Sequence, residues 1–270
     1  MNAYPWHWQG FWRPLAAVGR VTRTRTSFLL MFAAFAWGVL HEAVRQRTWR
    51  RTVRTEFGRA LRQTTGGGLA IVLVAAALTG VALVSQTLYW FGIAGQEKLE
   101  GSLLVTVLVR ELTPVLVGMV LLGRSGTVTV AELGSMQVSG QVRAMFAQGL
   151  DPILLLVLPR TLAFALASFT FGVLFILTAL LAGFAAGSAV GAVHQSLWLF
   201  LDHMASAMPA TDFALLPAKT LCIGALVALT ACLTALTAQQ EDDVTHLLPR
   251  SFVRGVIAIM LTSSILSFAA

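Results

Sequence analysis

Arg110 and Glu111 stand side by side in an otherwise apolar run, residues 103–122, with Pro114 just after them. The run is long enough to cross a bilayer, which takes about 20 apolar residues. An ionisable group at that depth costs roughly 2.5–3.5 kcal/mol on insertion scales, so it persists where it has a partner or a task. Lys219 is a third charge in such a run. Adjacent helical residues point about 100° apart, so Arg110 and Glu111 do not simply neutralise each other. Each calls for another partner, a bound headgroup or water. One chemistry is an ion pair, Glu111 with Lys219, that only locks two helices together. A second is a polar patch in a cavity that meets a charged headgroup. Pro114 frees a backbone carbonyl one turn earlier, which suits a cavity-lining helix. A third is Glu111 as the proton or ion site of a secondary transporter or channel.

About ten residues further on, the character changes. Residues 124–152 include AELGSMQVSGQVRAMFAQGLDP. Glu132, Met136, Val138, Val142 and Met145 can form a short amphipathic helix, which Asp151 and Pro152 end. Such a segment is either an ordinary connector or a helix that docks into a partner ATPase on one side of the membrane.

Other chemistries lack support. Gly66, Gly67 and Gly68 are not followed by Gly-Lys-Ser/Thr, so they form no phosphate loop. ATP and magnesium are expected on a partner, with no cofactor on this chain. The five histidines are scattered without metal-ligand spacing. No nucleophile–base–acid set is present, so the chain is not expected to be an enzyme. Cys222 and Cys232 lie ten residues apart on one predicted helix, about 15 Å, too far for a disulfide.

The elements that carry these groups are membrane helices. Of 270 residues, 57% are hydrophobic and 11% charged, against about 25% charged in soluble domains. The net charge of +7 comes mostly from arginines between Arg13 and Arg62. They flank apolar runs, so retention on the cytoplasmic side explains them better than nucleic acid does. Residues 1–26 are aromatic and basic, and no cleavable signal is evident. Residues 28–40 are apolar but too short to span comfortably. Residues 45–62 hold seven arginines and an apolar stripe at Trp49, Val53, Phe57 and Leu61. These pieces predict amphipathic helices lying in the cytoplasmic interface.

Five spans are predicted, at 67–90, 103–122, from 154 or 161 to 189, 213–238 and 252–268. Pro159 is expected to disturb the start of the third. Gly183, Gly187 and Gly191 form a small-residue stripe, for packing within the chain or against a second copy. The loop with Glu97, Lys98 and Glu100 reads as external, as does 191–212 with Asp202 and Asp212. Tyr89, Trp90 and Trp198 sit near those external ends. Loops 124–160 and 239–254 hold the arginines and read as cytoplasmic. The N-terminus is therefore expected inside and the C-terminus outside. The fold class is an all-α integral membrane protein, with N-terminal interfacial helices, five spans and a cytoplasmic coupling helix.

The stretch VRELTPVLVGMVLLGRSGTVTVAELGSMQVSGQVRAMFAQGLDPILLLVLPR resembles the core of the MlaE/YrbE-type permeases. These are membrane subunits of ABC transporters that work with MCE proteins in lipid trafficking. The matching positions are Arg110, Glu111, Pro114, Gly123, Arg124, Gly126, Ala131, Glu132, Leu133, Gly134, Met136, Gln141, Ala144, Gly149, Asp151, Pro152, Pro159 and Arg160. The resemblance implies N-terminal interfacial helices in residues 1–65 and a five-helix permease domain in 66–270, set in the bacterial inner membrane. It implies a second copy of the chain, two cytoplasmic ATPase subunits, a periplasmic MCE-domain protein and a phospholipid cargo. Arg110, Glu111, Pro114 and Lys219 would line the lipid cavity. Arg124, Glu132, Gly134, Met136, Gln141, Met145 and Asp151 would couple to the ATPase. The sequence departs from the family in two places. The acidic run Gln239–Gln240–Glu241–Asp242–Asp243 replaces a glycine-rich stretch. The last span lacks an acidic residue, with Ser267 near the equivalent place.

Overall fold

The computed structural model describes residues 30–45, 49, 51–94, 106–190, 196–238 and 244–268, and the backbone alone of 88–94, 210 and 244. The expectations for residues 1–26, for Glu97, Lys98 and Glu100, for Gly191, for the acidic run 239–243 and for the side chains of Tyr89 and Trp90 lie outside these. Among the described residues all regular structure is helical. A short apolar helix, α1 (Leu30–Val44), comes first. Then come α2 (Arg51–Ala94), α3 (Thr106–Val138), the short α4 (Gln141–Ala147) and α5 (Ile153–Ala189). The chain closes with α6 (Leu197–Ser206), α7 (Ala210–Leu236) and α8 (Val244–Phe268). Five of these, α2, α3, α5, α7 and α8, are long and apolar enough to cross a membrane. The protein is an all-α membrane protein.

Three boundaries differ from the sequence reading; the simplest is that α8 starts at Val244 instead of Phe252, so Arg250 and Arg254 of the expected loop lie within the helix. The arginine-rich stripe and the first span form one helix, α2, of 44 residues. It runs through the three glycines, each of which costs about 1 kcal/mol relative to alanine in a helix. Packing explains why the helix does not break there. A Cβ on Gly67 would overlap the guanidinium of Arg124, and one on Gly68 would sit 2.9 Å from Phe171. Gly67 and Gly68 are contact points rather than a hinge, while Gly66 faces open space. The stripe itself turns inward: Val53 is buried and packs in one cluster with Val39, Leu156 and Leu158. It covers the bundle rather than the membrane surface. The exposed apolar side chains of α1, Leu30, Trp37, Leu40 and Val44, remain available for an interface.

The third boundary lies at the end of the second span. Helix α3 does not stop near Leu122 but continues for 33 residues, about 50 Å at 1.5 Å per residue. The hydrocarbon core is about 30 Å thick, so one end of α3 extends beyond it. Gly140, in the left-handed region at φ 78°, ends the extension, and α4 follows. The expected single coupling helix is therefore the tail of α3 plus α4. Helix α3 also holds two wide π-turns, Thr106–Leu112 and Leu122–Gly126, around a regular middle, Thr113–Leu121. A third, Ile153–Val157, opens α5 just before Pro159. Pro159 thus leaves the helix unbroken but preceded by a widened turn.

Helix α7 is the centre of the bundle. Of its most apolar stretch 72% is buried, against 28% for α2 and 22% for α8. It packs on α3, α5 and α8, while α2 lies along α5. Lipid tails are as apolar as leucine, so helices in a membrane associate by close packing instead of by escape from water. The α2–α5 seam does this with glycine. A Cβ on Gly80 would come 2.6 Å from the Cα of Ala179, and one on Gly183 would meet Val84 and the Gly80 carbonyl oxygen. Gly183 therefore serves packing within the chain. On α8, Val253, Ile257, Leu261 and Ile265 recur every four residues and are all exposed.

Candidate functional site

The intramembrane charges meet where α3 and α7 begin. Arg110 and Glu111 lie in the first π-turn of α3. Asp212 lies in the first turn of α7, and Lys219 is seven residues on, two turns along the same face. The guanidinium Nη2 of Arg110 lies 2.6 Å from Asp212 Oδ1. The Lys219 ammonium lies 3.3 Å from Glu111 Oε1. Arg110 and Glu111 thus point to different partners, as adjacent helical residues must.

Lys219 is the hub. Besides Glu111 it donates to the carbonyl oxygen of Arg110 at 2.8 Å and to Ser267 Oγ at 2.5 Å. The first of these follows from Pro114. Proline has no N–H, so the carbonyl four residues back loses its usual helical donor, and that carbonyl belongs to Arg110. Pro114 itself is buried at the start of the regular middle of α3. Ser267, on α8, donates to Glu111 Oε1 at 2.5 Å, and Ser263 contacts Glu111 Oε2 at 3.5 Å. Three helices are tied together by one network.

Burial divides the four charges. Lys219 and Asp212 are enclosed, with side chains 1% and 0% exposed, whereas Arg110 is 29% and Glu111 49% exposed. The buried members are held in the bundle, and the exposed members present one positive and one negative group at its edge. A crevice lined by Val109, Arg110, Asp212, Leu215, Leu216 and Lys219 runs behind them and has essentially no room for a water-sized sphere. In this arrangement the ion pairs stand in for solvent, which is how buried charges persist.

Sequence alone offers Glu111 as a partner for Lys219 but leaves Asp212 in a loop. Its signal was the seven-residue spacing to Lys219 on one face of a helix, together with the favourable position of a carboxylate at a helix N-terminus. Ser263 carries no comparable signal, since hydroxyls in apolar helices usually bond back to their own helix, and Ser267 stands out only through the resemblance, near the place of the family's acidic residue. Ser267 also reaches its own helix: its single hydroxyl proton is shared between Glu111 Oε1 and the Ser263 carbonyl oxygen at 2.8 Å.

The residues expected to couple fall into two groups. Arg124, in the second π-turn, rests its guanidinium over Gly67 of α2. Glu132 pairs with Arg160 of α5 at 3.0 Å, and Arg160 is nearly enclosed. Gly134 faces Leu247 of α8, 3.2 Å from where its Cβ would sit, and Met136 and Met145 pack against the cluster around Leu133 and Val157. These five hold the α3 tail and α4 to the bundle. Gln141 and Asp151 are exposed, and Asp151 Oδ1 accepts from the Ile153 N–H at 2.9 Å, capping α5. Two exposed apolar side chains that the sequence reading did not single out, Phe146 and Leu150, project from the same region, 62% and 44% exposed.

Comparison with known proteins agrees with this architecture. The family model described as Permease MlaE matches residues 57–269. A probable ABC transporter permease protein of Synechocystis sp. is 28% identical over 201 residues, which cover 74% of this chain and 76% of the relative. The Arabidopsis thaliana protein named TRIGALACTOSYLDIACYLGLYCEROL 1, chloroplastic, is 35% identical over 119 residues, 44% of this chain and 33% of the relative. A probable ABC transporter permease protein of Rickettsia typhi is 36% identical over 95 residues, 35% of this chain and 37% of the relative. The chain spans about a third of the length of the last two.

Proposed function

The chain belongs to the MlaE permease family and is an ABC-type permease subunit, and from that premise we propose that its cargo is a phospholipid. The observation that carries this reading is the charge network at the α3–α7–α8 junction. Arg110 and Glu111 meet the surroundings at the edge of an apolar bundle, and their counter-charges are locked behind them. A headgroup needs polar contacts of this kind, and acyl chains need the apolar walls beside them. The name of the plant relative is that of a glycerolipid, which fits the same reading.

Two copies of the chain would enclose the cavity, and alternating exposure of that cavity would be driven by ATP and magnesium on two cytoplasmic ATPase subunits. The α3 tail and α4 would transmit the motion, with Phe146, Leu150, Gln141 and Asp151 presented to the ATPase and Arg124 and Glu132 tying them to α2 and α5. A periplasmic MCE-domain protein would pass lipid onward. The protein would sit in the bacterial inner membrane, N-terminus cytoplasmic and C-terminus periplasmic, with α1 in the cytoplasmic interface. The test is ATP-dependent movement of a fluorescent-acyl phospholipid by the intact complex in proteoliposomes. Movement that needs ATP and a working ATPase supports the reading. Movement driven by an ion gradient without ATP would replace it with a secondary transporter.

A further inference from the structure

We propose that the site selects a zwitterionic headgroup with a primary ammonium, of the phosphoethanolamine type, over net-anionic headgroups; the proposal rests on the phospholipid cargo. The network holds two cations and two anions, Arg110, Lys219, Glu111 and Asp212, so it sums to zero before any ligand arrives. Only Arg110 and Glu111 are presented outward, one of each sign, on consecutive residues. Each has unused capacity. The Arg110 guanidinium is 29% exposed and commits Nη2 to Asp212, with its Nε buried on the inner side, so the outward edge of the guanidinium is what a headgroup would meet. Glu111 Oε1 is taken by Lys219 and Ser267, but Oε2 has only the long 3.5 Å contact with Ser263. A spare guanidinium donor suits a phosphate oxygen, and a spare carboxylate oxygen suits an ammonium.

The charge balance decides the class. A zwitterion brings phosphate to Arg110 and ammonium to Glu111 and leaves the total at zero. An anionic headgroup brings its phosphate and nothing for Glu111, so the site gains an uncompensated negative charge beside two carboxylates in surroundings of low dielectric. A quaternary ammonium has no N–H to donate to Oε2, so a primary ammonium is the better fit. One hydrogen bond to a charged group corresponds to about a tenfold preference.

The test uses the intact complex in proteoliposomes and three probes with identical acyl chains: phosphatidylethanolamine, phosphatidylglycerol and N-acetyl-phosphatidylethanolamine. The last removes the ammonium without touching the protein. In pairwise competition, ATP-driven movement of phosphatidylethanolamine should exceed that of the other two about tenfold, and Glu111→Gln should collapse the ratio toward one. Equal movement of all three overturns the selectivity while leaving the lipid cargo standing. ATP-driven movement of none of them overturns the cargo and the selectivity together. A ratio that persists in Glu111→Gln overturns the assignment of the ammonium to Glu111.

Discussion

Gly67 and Gly80 lie in the same helix, and alanine at the two should have opposite effects. At Gly67 the new methyl meets the far end of the Arg124 side chain, which is exposed and free to swing aside. The substitution then gains the helical preference of alanine, about 1 kcal/mol, and loses a surface contact worth less than that. The net is near zero to about 1 kcal/mol of added stability. At Gly80 the methyl meets backbone, with the Cα of Ala179 only 2.6 Å from it. Backbone cannot rotate away, so α2 and α5 must separate along their seam. Overpacking of this kind costs about 1–3 kcal/mol, more than propensity returns. Thermal unfolding of each variant in detergent, followed by size-exclusion fluorescence, measures both. Gly67→Ala should melt at or above the parent temperature and Gly80→Ala clearly below it. Equal losses at the two positions would refute the reasoning, because then the glycines would be serving flexibility rather than contact. Gly67→Ala has a second use. It dislodges Arg124 without harming the fold, so lowered lipid-stimulated ATP hydrolysis in that variant would tie the Arg124 contact to coupling.

Glu111→Gln leaves Lys219 buried with its other acceptors and should cost about 1–2 kcal/mol, whereas Lys219→Met leaves a half-exposed carboxylate that water can reach. The double variant should regain thermal stability but not lipid transport, and recovery of both would show that the pair is only a structural lock. Asp212→Ala strands the Arg110 guanidinium and should destabilise the fold by about 1–3 kcal/mol more than Glu111→Gln does, seen as a lower melting temperature, with equal effects counting against the burial asymmetry. Phe146→Asp should leave the melting temperature of the isolated chain unchanged and reduce ATPase copurification; unchanged assembly would remove Phe146 from the docking surface.

The sequence makes the spans and the charge cluster legible because apolar length and stray charges are strong signals inside a membrane protein. Arg110, Glu111 and Lys219 stand out for that reason, and Pro114 announces the free carbonyl that Lys219 takes up. What stayed hidden depends on neighbours distant in the chain. Gly66 to Gly68 resemble a break until Arg124 is seen lying on Gly67 and Phe171 on Gly68. The stripe at Val53 resembles a membrane-facing surface until α1 and α5 are seen covering it. Asp212 passes for a loop residue because the apolar run of the fourth span begins only at Phe213, and only the start of α7 at Ala210 brings it under Arg110. The division of the coupling residues into inward and outward sets depends on the turn at Gly140, and the periodicity of one uninterrupted helix cannot anticipate it.

The network also has a consequence for how the chain is made. Glu111 and Lys219 are 108 residues apart. Translation at about 5–20 residues per second separates their synthesis by roughly 5–20 s. Over that interval α3 enters the membrane with Arg110 and Glu111 lacking Asp212 and Lys219. Each such charge costs roughly 2.5–3.5 kcal/mol in a membrane helix. Helix α3 is therefore a provisional insert until α7 arrives. The order of signs then acts as a register check: sliding α7 by seven residues would set Lys219 against Arg110, cation against cation. A chain truncated before α7 carries its own mark of incompleteness, two unmatched charges that a membrane quality-control protease can recognise.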